Sequence, residues 1–376
     1  MDFTLTEERV MLRDMLRRFL SEQYDHDTRQ AVLAAGAPFD AGIWAQLAEL
    51  GILGALFPEA NRGLGGAGFD IALVFEELGR AGVIEPVLSS AILGGGLVAM
   101  LASADQQALL AEVMAGTTRL AFAHSEPGAR YDLADVSISV GEGRTLSGIK
   151  THVLGAAEAH MLVVSAREGG AAGDTEGLSL FLVPADAPGV HIAQHVTVDG
   201  VSAGTVRLEN VILPETARLG PAGRAFDAIE AVYARGTLAV SAEALGAMET
   251  AKEMTISYLK ERQQFGRPIG RFQALQHRMA DVAMEVEQAR SAVINLAGHL
   301  EAARGIRERN VSATKNLIGR IGALVAEEAV QLHGGIGMTN DYALSHFIRR
   351  IVMIDHLFGD VDYHLERFVQ LDAALL

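Results

Sequence analysis

The apolar spacing of residues 272–304 constrains the fold more than any other feature of the sequence. Apolar residues recur there at alternating intervals of four and three, at Leu275, Met279, Val282, Val286, Ala289, Val293, Leu296 and Leu300. Helices that pack nearly parallel in a bundle require this period. Helical patterns also cover 236–262, 310–332 and the segment from 340–341 to the C-terminus. The C-terminal part is therefore predicted to be a four-helix bundle.

Two other kinds of sequence precede this bundle. Residues 1–117 have helical patterns, with Thr6 predicted to cap the first helix and a glycine-rich loop at 57–70. Residues 118–217 contain seven short β-type runs with no helical pattern between them, which predicts an antiparallel sandwich or barrel. We therefore predict an α+β multidomain protein with an N-terminal all-α domain (1–117), a β-domain (118–217) and a C-terminal four-helix bundle (218–376).

Composition excludes several classes of function. The formal charge of −16 argues against binding to nucleic acid or to an anionic membrane surface. The chain has no cysteine, which excludes thiolate catalysis and cysteine-type metal sites, and no metal site is predicted. The N-terminus lacks the pattern of a secretory signal, and the most apolar window, 87–102, is shorter than a bilayer span. We expect that window to be a buried helix and the protein to be soluble and cytoplasmic.

The stretch RQQFGRPIGRFQALQ, residues 262–276, carries more chemistry than a connection between helices needs. It contains three breakers of regular structure, Gly266, Pro268 and Gly270. Arg262 and Gln264 offer donors suited to phosphate, and Phe265 can cover an apolar ring. The alternative is an arginine that interacts only with the dipole of its own helix.

A companion motif, QLHGG, follows 55 residues later. Gln331 can bond a polar ring edge or a pyrophosphate, and Gly334 and Gly335 let a ligand approach the backbone. Taken alone, this motif favours a simple helix C-cap over a ligand site.

Taken together, these motifs resemble the acyl-CoA dehydrogenase family. RQQFGRPIGRFQALQ and QLHGGIGMTNDY are similar to its C-terminal half, and WAQLAELGILGALFPEANRGLGG resembles its N-terminal helix and glycine-rich loop. AFAHSEPG resembles the start of its β-domain, and RLENVILPETARLG the return into its last helical domain. The resemblance covers nearly the whole chain.

The resemblance implies FAD, bound between the β-domain and the bundle and shared by two subunits. Six residues fall on positions that grip its pyrophosphate and adenosine: Arg262, Gln264, Phe265, Gln331, Gly334 and Gly335. Ala123, His124 and Ser125 fall where the β-domain meets the flavin ring. The implied reaction on acyl-CoA removes an α-proton with a carboxylate base while the β-hydrogen leaves as hydride to flavin N5. Electron-transfer flavoprotein is the implied electron acceptor.

The positions that should carry the base depart from the family. The usual glutamate aligns with Phe358, and the alternative position, before Arg235, is Ala234. Glu243 and Asp360 remain weak candidates for the base, although a buried pair with a neighbouring arginine or histidine is the more natural role for Glu243. Asp227 and Glu230 lie just upstream, in a predicted turn.

The β-domain departs from the family pattern as well. The flavin-flanking tryptophan–threonine pair aligns with His152 and Leu154, and Leu154 has no hydroxyl to offer. The serine that normally helps to hold the acyl-CoA aligns near Tyr131, and Arg130 replaces a glycine. Arg130, Tyr131 and Arg235 are the predicted substrate-binding residues.

These departures resemble a short bacterial subgroup, including steroid-degradation members, in which a homologous partner carries the glutamate of an α2β2 heterotetramer. One hypothesis is therefore an acyl-CoA dehydrogenase of fatty-acid or steroid side-chain β-oxidation, active alone or with such a partner in a dimer of dimers. The other is a non-catalytic subunit that completes the FAD site of its partner. A DNA-associated relative is disfavoured by the acidic composition.

Overall fold

A computed structural model describes residues 5–373 of the chain. Its helices are α1 (Glu7–Gln23), α2 (His26–Ala34), α3 (Ala41–Glu49), α4 (Gly68–Ala81), α5 (Gly96–Leu101), α6 (Ala108–Met114), α7 (Phe226–Glu261), α8 (Gln273–His299), α9 (Arg304–His333), α10 (Leu344–Asp355) and α11 (Val361–Ala373). Its strands are β1 (Leu120–Ala123), β2 (Thr145–Leu154), β3 (Met161–Arg167), β4 (Leu178–Pro184), β5 (Val190–Val196), β6 (Ser202–Ile212), β7 (Arg218–Leu219), β8 (Gln263–Gln264) and β9 (Arg267–Pro268). The predicted succession of helical, β and bundle regions is confirmed.

The chain forms two compact units. The helical unit comprises the described part of Met1–Gln30, Ala67–Val83 and the described part of Thr237–Leu376. The β-unit comprises Ala31–Gly66 and Ile84–Gly236. The limits of the three domains predicted from the sequence stay a prediction, because the two compact units divide the chain at other residues.

The helical unit contains the predicted bundle. Five of the regularly spaced positions on α8, from Val282 to Leu296, are buried, whereas Leu275 and Met279 near its start are half-buried. The segment predicted as a fourth helix is two helices, α10 and α11. Phe358 and Gly359 separate them with φ angles of 61° and 117°, which a continuing helix does not allow. At the other end of the unit, Thr6 caps α1 as predicted, accepting a hydrogen bond from the Arg9 amide at 3.4 Å.

The β-unit holds two sheets packed on one core. One sheet has the order β1-β3-β4-β7 and the other β2-β6-β5. Every pair is antiparallel except β1 with β3, which is parallel because β2 and its loops carry the chain back between them. Both sheets contribute apolar side chains to the core, among them Leu162, Val164, Phe181, Leu146, Val206 and Leu208. The run at 136–140, predicted as a strand, makes only an isolated bridge from Ser139 to Arg167.

The apolar window at 87–102 is buried, as predicted, but its geometry is unusual. Leu88–Gly95 form a π-helix with a wider turn than an α-helix, and α5 follows directly. Within 5–373, no helix combines the length and the apolar character needed to cross a membrane.

Two glycines let α4 and α7 approach each other backbone to backbone within the helical unit. A methyl group built on Gly79 would overlap the carbonyl oxygen of Glu243, and one built on Gly246 would overlap that of Glu76. Such contact leaves no space for a side chain on either helix. The glycines therefore set the distance between these helices.

We predict that Gly79→Ala lowers the free energy of unfolding by about 1–3 kcal/mol, because the added methyl must displace backbone. Denaturant melts of both proteins would measure it. Gly169→Ala is the matched control, since a methyl there meets nothing within 4 Å. Equal stability of Gly79→Ala and the wild type would contradict the close approach of α4 and α7.

Candidate active site

A short hairpin follows the end of α7 in the helical unit. Strands β8 and β9 pair, and the turn between them places Phe265 and Gly266 at φ angles of 54° and 76°. Two consecutive left-handed residues are typical of a two-residue hairpin turn. The turn leaves Phe265 89% exposed, with its ring edge-on to Phe272 at 6.1 Å. A ring in this position is available to a ligand or to another subunit.

Three polar side chains of the helical unit, two at this hairpin and one on α9, are exposed donors. Arg262, Gln264 and Gln331 make no side-chain hydrogen bond or ion pair with any residue that the structure describes. Arg262 in particular does not bond the carbonyls at the end of α7; only its backbone amide does, to Tyr258 at 2.8 Å. The alternative of an arginine bound to its own helix end is therefore not supported. Unused donors of this kind suit phosphates and the edges of a purine ring.

The glycine pair at the end of α9 presents bare backbone. Gly334 has a φ angle of 68°, and a methyl built on Gly334 or Gly335 would meet no atom within 4 Å. His333 is buried beneath the pair, where its ring stacks on Tyr258 at 4.5 Å. The two glycines therefore expose main chain next to the packed rings of His333 and Tyr258. A ligand can approach this main chain closely.

In the β-unit, the predicted flavin-contacting residues follow the end of β1. Ala123 and His124 are buried, and the His124 ring stacks on Phe122 at 5.1 Å. Burial, and then the charge of Lys150, lower the pKa of His124 to about 3, so the ring is neutral at pH 7. Ser125 is half-buried; neither its amide nor its hydroxyl has a hydrogen-bond partner among residues 5–373. Ser125 thus keeps two free donors, whereas the buried His124 ring lies with its Nδ1 2.9 Å from the Ser165 hydroxyl.

A buried lysine that the sequence analysis missed lies against this segment. The Lys150 ammonium donates to the His124 carbonyl at 2.9 Å, to Glu126 Oε1 at 2.8 Å and to the Ser165 hydroxyl at 3.1 Å. Burial lowers the pKa of Lys150 to about 8, opposed by the attraction of Glu126. The structure inverts the usual pattern of a strand here, since Ile149 is 41% exposed and Lys150 is 0% exposed, so the sequence carried no signal for this lysine.

The other predicted contacts of β2 lie at an irregularity of the strand. The register with β6 shifts between Lys150 and Val153, and His152 there has a φ angle of 51°. His152 is exposed, with its ring edge-on to that of His195 at 6.1 Å. Leu154 is half-buried and offers only an apolar surface.

The three predicted substrate-binding residues have different surroundings. Arg130 is exposed with a φ angle of 48°, and Tyr131 is half-buried. Arg235 donates to the carbonyl oxygen of Gly66 at 2.6 Å. Its guanidinium therefore anchors the end of the glycine-rich loop within the β-unit.

The candidate carboxylates are committed to structural roles. Glu243 is buried and accepts two hydrogen bonds from Arg350, at 2.5 and 2.8 Å, as the sequence analysis favoured. Asp360 accepts the Tyr363 amide at 2.9 Å and so caps α11. Asp227 and Glu230, predicted to lie in a turn, belong to the first two turns of α7. Ala234, at the alternative position of the base, is buried.

The turn that contains Phe358 is held from beneath by two side chains. The Lys315 ammonium donates to the carbonyls of Asp355 at 2.9 Å and Gly359 at 2.7 Å. His364 Nε2 donates to the Phe358 carbonyl at 3.1 Å, and its Nδ1 accepts from Ser312 at 3.3 Å. Burial, and then the charge of Lys315, lower the pKa of His364 to about 3. The turn is thus rigid although it carries no acid at its centre.

Comparison with known proteins agrees with this architecture. Three family models match: "Acyl-CoA dehydrogenase, N-terminal domain" at residues 6–117, "middle domain" at 121–211 and "C-terminal domain" at 224–369. The probable acyl-CoA dehydrogenase YngJ of Bacillus subtilis is 28% identical over 98% of both chains.

Two solved structures are similar over the same length. A variant of the Tcur3481-Tcur3483 steroid ACAD is 31% identical with a TM-score of 0.87, and the match covers 99% of both chains. The ChsE4-ChsE5 complex from Mycobacterium tuberculosis is 26% identical with a TM-score of 0.89, again over 99% of both chains.

The buried His364 predicts a specific dependence of stability on pH. Its pKa is about 3 in the folded chain and 6.5 when unfolded, so between these values only the unfolded state binds the proton. Stability is therefore lost as pH falls below 6.5. We expect His364→Gln to remove this contribution, about 1.4 kcal/mol per pH unit. Urea melts at pH 7, 6 and 5 would compare the two slopes, and parallel slopes would contradict the neutral, buried histidine.

Proposed function

Because the chain belongs to the acyl-CoA dehydrogenase family, we propose that it acts in the α,β-dehydrogenation of an acyl-CoA thioester together with a homologous subunit that carries the catalytic carboxylate. One observation carries this proposal. The chain has the exposed donors of a nucleotide grip, whereas Glu243 and Asp360, the two candidate bases, accept hydrogen bonds that hold the fold.

Family membership supports FAD as the cofactor, and the exposed groups of the helical unit fit its adenosine half. The Arg262 guanidinium suits the diphosphate, because its forked donors match pairs of phosphate oxygens. Gln264 and Gln331 offer amide groups to the adenosine. The bare backbone of Gly334 and Gly335 allows the cofactor to lie against the end of α9.

The β-unit offers hydrogen bonds to the flavin ring through Ser125. Its amide and its hydroxyl are both free within the described chain. When bound, FAD accepts the hydride that leaves the β-carbon of the acyl group. The side chain of Leu154 cannot donate a hydrogen bond and that of His124 is buried, so Ser125 and the exposed His152 have the polar side chains that this chain offers at the predicted ring contacts.

The catalytic base is the group that, in this proposal, the chain does not supply. Using Glu243 would require breaking a buried bidentate pair with Arg350 and giving up both of its hydrogen bonds. Asp360 would have to release the first turn of α11. A carboxylate from a homologous subunit avoids both costs, and the names of the two similar structures above each join two different chains, ChsE4-ChsE5 and Tcur3481-Tcur3483.

We place the substrate among fatty-acyl or steroid side-chain CoA thioesters of β-oxidation, and electron-transfer flavoprotein as the electron acceptor. Both assignments rest on the resemblance to the family.

The nucleotide grip is tested by Arg262→Ala. We expect the FAD-loaded assembly to lose at least tenfold in cofactor affinity, about 1.4 kcal/mol, because a charge-assisted bond to phosphate is removed. Flavin release on dilution, followed by fluorescence, measures this affinity. Arg320→Ala, at an exposed arginine of α9, is the control and should bind FAD normally. Equal cofactor affinity in both variants would contradict the role of Arg262.

The source of the base is tested by Asp360→Asn and Glu243→Gln. We expect the assembly containing Asp360→Asn, a variant that keeps a capping oxygen, to reduce its flavin with acyl-CoA at the wild-type rate. Stopped-flow bleaching of the flavin measures the rate. Glu243→Gln should lower the melting temperature but retain flavin reduction. Loss of flavin reduction in either assembled variant by about a thousandfold would place the base in this chain. If no acyl-CoA reduces the flavin of any assembly, the proposed dehydrogenation itself is overturned.

A further inference from the structure

The Lys150 ammonium has three donors, and all three are used inside the β-unit. One bonds Glu126, one bonds the Ser165 hydroxyl, and one bonds the backbone carbonyl of His124. A pairing of charges alone would need only the contact with Glu126. The contact with the main chain fixes the segment just after β1, where regular pairing with β3 has ended.

That main-chain contact acts on the next residue. The carbonyl of His124 and the amide of Ser125 belong to one peptide group, so a cation bonded to the oxygen draws electron density from the nitrogen. The Ser125 N–H thereby becomes a stronger donor. This N–H has no acceptor among the described residues. The Ser125 amide is therefore a polarised hydrogen-bond donor for which residues 5–373 provide no acceptor.

We propose that Lys150 is a positioning residue for the flavin, which holds and polarises the His124–Ser125 peptide so that the Ser125 amide donates to the flavin ring. The inference rests on the proposed function, in which Ser125 contacts that ring. A donor of this kind favours the reduced ring, because reduction adds electron density to its polar edge. Lys150 thus raises the reduction potential of the bound cofactor without touching it.

The neighbouring charges set the sign and the size of this effect. Glu126 opposes the field of Lys150, and His124 is neutral at pH 7. The effect is therefore carried by the hydrogen bond to the His124 carbonyl and not by a net positive charge. Neutralising Glu126 removes the charge that opposes Lys150, so it should raise the reduction potential of the flavin. Removing the Lys150 ammonium should lower that potential.

The test is Lys150→Met in the FAD-loaded assembly. We expect the preference for reduced over oxidised flavin to fall about tenfold, which is about 30 mV for a two-electron couple. Equilibrium reduction against a reference dye measures the potential, and flavin fluorescence on dilution measures affinity. If Lys150→Met alone does not fold, Lys150→Met combined with Glu126→Gln removes the charge from both partners, and its potential is compared with that of Glu126→Gln alone.

Lys315→Met is the matched control for the loss of a buried lysine. Lys315 is also buried and bonds backbone carbonyls, two in its case, which belong to the Phe358 turn of the helical unit. We expect it to lower the melting temperature and to leave the potential unchanged. If Lys150→Met likewise lowers only the melting temperature, Lys150 is structural and the proposal is overturned.

Ser125→Ala separates the amide from the hydroxyl, because it removes only the latter. Lys150→Met should lower the potential by the same amount in this background. Loss of that effect would assign the influence of Lys150 to the hydroxyl and overturn the peptide pathway. If the wild-type assembly binds no FAD at all, the proposed function itself fails, which is a different result from an unchanged potential.

Discussion

Buried lysines bonded to main-chain carbonyls hold the two turns on which the candidate site depends. Lys150 holds the segment after β1, and Lys315 holds the turn between α10 and α11. At both places regular structure stops and leaves carbonyl oxygens that helix or sheet would otherwise satisfy. Burying a charge costs free energy, and each lysine offsets that cost by satisfying several acceptors at once. The main chain at both turns is therefore fixed independently of any ligand.

The sequence predicted the large elements because their patterns are local. The spacing along α8 and the cap at Thr6 depend on neighbours within a few residues, and both are found in the structure. The break at Phe358 was visible as a motif, but its left-handed backbone was not, since such a conformation is uncommon for a bulky residue. The sequence did not predict the parallel pairing of β1 with β3, because this pairing joins segments about forty residues apart.

The candidate functional residues divide likewise into those that a local pattern predicts and those that depend on contacts between distant segments. The proposed nucleotide grip rests on a short motif, and the structure adds that its side chains are exposed and uncommitted within the described chain. Lys150 was not predictable, because a lysine in a strand is ordinarily on the solvent side. Its inward direction follows only from the register of β2 against β6. Likewise, the commitment of Glu243 to Arg350 joins residues 107 positions apart.

The turn at Phe358 has a consequence for the history of the chain. Its backbone is held by Lys315 and His364 through carbonyl oxygens, which every side chain at position 358 would leave in place. An exchange of that side chain therefore leaves the scaffold intact. A lineage with such a turn can give up a reactive group, or regain one, by a change in a single codon. Division of labour between duplicated subunits can then arise without any intermediate that fails to fold.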